Sequence, residues 1–85
     1  MKELHEHVAE IETRADLVAF IEALRADLKT NSKHWENLTL ESFLGALASW
    51  TEDMDGYYRN QGREVPQRPT WKTLGEMLAA ARVYE

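Results

Sequence analysis

The sequence predicts an all-α fold, a compact bundle of three main helices in a single domain over residues 1–85. Three observations carry that prediction. Apolar residues recur at alternating spacings of 3 and 4 in three separate stretches, the rhythm of a helix that buries one face. A threonine suited to N-capping precedes each stretch, at Thr13, Thr39 and Thr70. No stretch reads convincingly as a strand.

Leu4, Val8 and Ile11 are spaced 4 and 3, so residues from about Lys2 to Glu12 could form a short fourth helix at the N-terminus. With no Pro or Gly before Gly45, one continuous helix from Lys2 is the alternative, and a break at Thr13 is favoured. His5 and His7 lie two apart, on different faces of that helix, and are read as solvated rather than metal-binding. Thr13 and Asp16 form a variant capping box that introduces Leu17, Phe20, Ile21, Leu24 and Leu28. The predicted helix runs from Arg14 to Lys29 and stops in Thr30, Asn31 and Ser32, which bond their own backbone and favour turns. In the linker that follows, Trp35 sits beside His34, Glu36 and Asn37, and so large a ring needs cover. It is expected to fold back as a lid on the core with its indole N–H on an acceptor. Asn37 is expected to shape a turn.

The stretch from Thr39 to Gly62 carries the longest stripe, Leu40, Phe43, Leu47, Trp50, Met54 and Tyr57, and is expected to organise the rest. Glu41 falls near the positive end of its dipole. Gly45 and Gly56 each cost about 1 kcal/mol relative to alanine, and Gly56 is read as a local break. Gly62 supplies a stop with positive φ. Pro66 and Pro69 then impose an extended connector. After the Thr70 cap, Trp71, Leu74, Leu78 and Ala81 form the last stripe, flanked by Met77, while Gly75 and Ala79 to Ala81 permit close approach. Trp50 and Trp71 are both assigned to the core.

Composition narrows the function classes. With 85 residues and 44% apolar content there is material for one modest core, and the absence of cysteine leaves packing to stabilise it. No apolar run approaches the roughly 18 residues that cross a bilayer, and the charged start is unlike a secretory signal, so a cytoplasmic protein is expected. A net charge of −5 disfavours nucleic acid as the ligand, since Arg59, Arg63 and Arg68 are the only local basic group.

Catalytic signatures are absent: there is no G-x-S-x-G, no HExxH and no phosphate-binding glycine loop. Asp53, Asp55 and Gly56 resemble the start of a calcium loop, but the closing position falls on Gly62, which has no carboxylate. No metal or other cofactor is therefore assigned. Glu52, Asp55 and Arg59 share a helix face, yet such pairs stabilise by only about 0.2–0.5 kcal/mol, so stability explains their density poorly. Tyr57 and Tyr58 point in different directions, and at least one is expected at the rim. Tyrosine beside Arg59, Asn60 and Arg63 is a composition enriched at protein interfaces. The competing reading has a tyrosine hydroxyl bonding backbone near Pro66, with Arg59 paired internally.

The string running from Trp35-Glu36-Asn37 through Thr39-Leu40, Phe43-Leu44, Ala46-Leu47, Trp50, Glu52-Asp53-Met54 and Gly56 to Gly62, then Pro69 and Trp71, resembles a small bacterial domain family without assigned function. The resemblance covers roughly Leu17 to Tyr84 and implies a bacterial source, but no reaction, cofactor or catalytic residue. The first functional reading is a non-catalytic bacterial interaction domain that binds a protein through Trp35, Asp55, Tyr57, Tyr58, Arg59, Asn60 and Arg63. An inhibitor or immunity-type protein, steered by its acidic charge to a basic enzyme, is one version. The second reading is a small-ligand or metal-dependent enzyme using Asp53 or Asp55 with His34. The third is a structural or self-associating module, whose mark would be an exposed apolar patch.

Overall fold

A computed structural model describes residues 3–84 and confirms the all-α class. The helices are α1, Leu4–Ala9; α2, Arg14–Thr30; α3, Leu40–Asn60; and α4, Trp71–Ala81, with a short 3₁₀ turn at Ser32–His34. Among the described residues α4, not α3, is the element on which the others assemble: its backbone lies close to α1, α2 and α3, whereas α3 nears no other helix. Its small residues make this possible. Gly75 is buried, and a Cβ there would stand 2.4 Å from Ile11 Cδ1, so the glycine is what lets the α1–α2 corner close onto α4.

Each cap follows from local chemistry. Thr13 Oγ1 accepts the Asp16 N–H while the Asp16 carboxylate accepts the Thr13 N–H, completing the predicted box. The Asp16 carboxyl is held below its ordinary range, first by the backbone N–H of Glu12 and then by that of Thr13. At α3 the same reciprocal arrangement joins Thr39 and Ser42, a box the sequence reading missed because serine stands where Glu or Gln is usual. Gly62 stops α3 with φ of +67°, as expected. Gly56 does not break the helix, which runs unbroken to Asn60; the rings of Trp50, Tyr57 and Tyr58 pack against one another along its last turns.

Val8, Ile11, Leu17, Phe20, Leu24 and Trp35 form the main core, with Phe43, Leu74 and Leu78 packed against it. Trp35 closes that core as predicted, donating its indole N–H to Asp27 Oδ2 at 2.8 Å and stacking near Phe43. Asn37 fixes the far end of α4, its Nδ2 donating to the carbonyls of Ala81 and Tyr84. Two core assignments are corrected. Trp71 is 42% exposed and Leu40 74% exposed, because each is the first residue of its helix, where no neighbouring turn covers it. Trp50, by contrast, is buried.

Candidate functional site

The residues expected to bind a partner do not form one surface. Tyr58 has no exposure at all. Its position at the edge of the α3 stripe is covered from two directions: the Arg63 guanidinium lies 4.8 Å over its ring, and its hydroxyl donates to Glu76 Oε1 of α4 at 2.7 Å. Arg63 Nη1 donates to the second oxygen of the same carboxylate at 3.0 Å, so Arg63 is engaged within the chain. Burial first, and then the Glu76 hydrogen bond, push the Tyr58 hydroxyl above the usual tyrosine range. The tyrosine that bonds internally thus does so to a carboxylate, not to backbone near Pro66. Tyr57 is half-buried with its ring 5.3 Å from that of Trp50.

Asp55, Arg59 and Asn60 lie on open surface. Arg59 and Asp55 stand 4.0 Å apart with both side chains mostly exposed, a pair of little energetic weight. Asp53 accepts a hydrogen bond from the Tyr84 hydroxyl, which raises the Tyr84 pKa. His34 belongs to the 3₁₀ turn before α3, while Asp55 and Arg59 belong to its last turns, and none of the three lines any of the clefts described below. Among the described residues no group of three or more His, Asp or Glu is placed to hold a metal ion. None of their helices is long and apolar enough to cross a membrane.

An apolar concave feature lies elsewhere, between α2 and α3. Because these helices do not approach each other, a groove of about 410 Å³ opens between them. Trp35 and Phe43 line it together with Ile21, Leu28, Leu38 and Leu40, and only Arg25, Asn37 and Thr39 add polar groups. Leu38 is 56% and Leu28 38% exposed, so this face carries apolar side chains that folding leaves in water. Of the seven expected residues Trp35 alone lines the groove, and it is buried. The signal for this face was present in the sequence: Ile21 and Leu28 occupy the same α2 period as the core residues, and Leu38 and Leu40 add apolar surface that one helix face cannot hide.

A second cleft, of about 420 Å³, lies between α1, α3 and α4 and has Tyr57 and Arg63 on its wall. A third, beside Trp71, is bounded by Glu12, Pro69 and Leu74. No curated protein and no solved structure matches the chain. A family model does match, over residues 13–85, beginning at the Thr13 cap of α2 and leaving α1 outside. With that match spanning three of the four helices and both walls of the apolar groove, the chain belongs to the DUF7660 family, a family of unknown function.

Proposed function

We propose that the chain is a non-catalytic protein-interaction domain that receives an amphipathic helix of a partner protein in the groove between α2 and α3. The observation that carries this reading is the row of solvent-facing apolar side chains on both banks, Ile21 and Leu28 on one and Leu38 and Leu40 on the other. Burying such a row against the apolar face of a helix gains about 25 cal/mol per Å², and a trough between two helices suits helix-in-groove recognition. The net charge of −5 favours a basic partner by steering its approach. An inhibitor or immunity-type role toward a basic enzyme is the concrete form of the proposal. The enzyme reading gains nothing from the geometry, because His34 lies in the 3₁₀ turn before α3 and Asp55 in the last turns of that helix.

Exposed apolar surface also favours a second reading, self-association. One experiment separates the two. A photo-crosslinking residue is placed at Leu40 in the groove, and in a control at Asn60, in the native host. The proposal expects a heterologous adduct from position 40 that disappears with Leu28→Glu, and none from position 60. An adduct at twice the mass of the chain would replace it with self-association, and adducts at position 60 alone, or at neither position, would overturn it.

A further inference from the structure

The cleft between α1, α3 and α4 concentrates positive charge in a protein that is negative overall. Arg63, Lys72 and Arg82 line it, with His5 at the α1 side, against a single carboxylate, Glu76. That carboxylate is already occupied: one oxygen accepts the Tyr58 hydroxyl and the other accepts Arg63 Nη1. Among the described residues Lys72 and Arg82 make no ion pair. Arg82 Nε is moreover buried without a hydrogen-bond partner, and a buried charged donor left so is costly. The negative end of α4 accounts for a cation at its C-cap, but not for the burial of that N–H.

The remaining lining is largely apolar. Trp50 and Tyr57 present tilted rings from α3, and Val8, Ala79 and Ala80 complete the wall without bulk. We infer that this cleft binds a small organic anion, a planar apolar body carrying a carboxylate, sulfonate or phosphate group. The charged group is held by Lys72 and Arg82 through charge-assisted hydrogen bonds, and the body lies against Trp50 and Tyr57. A volume of about 420 Å³ falls within the range of small-molecule sites, about 300–1,000 Å³, and accommodates a fused two-ring ligand. The site is separate from the α2–α3 groove and does not depend on it.

The test uses the full chain, 2-naphthoate as probe, its neutral alcohol analogue, and inorganic phosphate, followed by amide and indole chemical shifts. 2-Naphthoate is expected to shift the Trp50 indole and the amides of Ala79, Ala80 and Val83, and to bind about tenfold or more tightly than either comparison probe. Lys72→Gln and Arg82→Gln, with helicity confirmed by circular dichroism, are each expected to weaken it by about tenfold, while Arg59→Gln leaves it unchanged. Added salt weakens binding to the unmodified chain, a readout that survives if a variant fails to fold. Equal affinity for the neutral analogue, shifts confined to Ile21, Leu28 and Leu40, or no binding of 2-naphthoate overturns the inference.

Discussion

Tyr58 donates its hydroxyl hydrogen to Glu76 Oε1 at 2.7 Å, and water reaches neither partner well: the tyrosine has no exposure and the glutamate side chain only 9%. Since Arg63 donates to the other oxygen, one carboxylate of α4 fastens both the end of α3 and the connector that leaves it. A corner that the sequence offered as a recognition surface is therefore part of what holds the fold together.

Removing that hydroxyl leaves Glu76 Oε1 short of a donor in a nearly dry position. Tyr58→Phe is expected to lower the unfolding free energy by about 1–3 kcal/mol, the usual cost of abandoning a buried polar partner. For a domain of this length each kcal/mol corresponds to about 4–8 °C in melting temperature. A double-mutant cycle with Glu76→Gln should return a coupling of about 0.5–3 kcal/mol. Urea denaturation measures both, and a Tyr58→Phe change under about 0.5 kcal/mol would show that the bond contributes nothing net.

The same contact sets the behaviour in alkali. The folded state holds the Tyr58 hydroxyl above its unfolded value of about 10, so the neutral form is favoured in the native protein. Its contribution is therefore fully present below about pH 10 and is lost as pH rises toward the folded value, at up to about 1.4 kcal/mol per pH unit. Tyr84 is also raised, through Asp53, but at the surface, where the energetic consequence is small. Phenolate absorbance followed against pH should show that one of the three tyrosines ionises only as the chain unfolds, and that Tyr58→Phe abolishes this late step. Simultaneous ionisation of all three while helicity persists would contradict the burial.

What the sequence revealed divides along physical lines. The caps at Thr13, Thr39 and Thr70, the Trp35 lid and the Gly62 stop were legible because each depends on a few consecutive residues or on a ring too large to leave in water. The choice between Tyr57 and Tyr58 was not, since it turns on Glu76 and on Arg63 folding back, which adjacent spacing does not encode. Trp71 and Leu40 kept the period of their stripes yet lie at helix starts, beyond the reach of neighbouring elements. The surplus apolar residues of the groove were legible but the groove itself was not, since apolar periodicity on two helices gives no sign that they stand apart.

The glycines should respond oppositely to alanine. At Gly45 and Gly56 a Cβ would meet nothing within 4 Å, so each substitution is expected to stabilise by about 0.5–1 kcal/mol through helix propensity alone. At Gly75 the new methyl would overlap Ile11 Cδ1, with Leu17 and Phe20 close behind at 3.7 and 3.8 Å. Overpacking of about 1–3 kcal/mol then outweighs the gain of about 1 kcal/mol, and Ile11→Val should relieve it. Thermal melts of the single and paired variants decide the point; a Gly75→Ala protein more stable than its parent would mean that the Ile11 side chain turns aside without loss of packing.

Hydroxyl-radical footprinting at low protein concentration reads most directly which surface of the protein is open. Leu38, Leu40 and Leu44 should be oxidised at the rates of freely accessible side chains, while Tyr58 and Phe20, which have no exposure, stay protected until the chain unfolds. Rapid modification of Tyr58 in the folded protein, together with protection of the three leucines, would contradict this pattern and return the accessible corner to the end of α3.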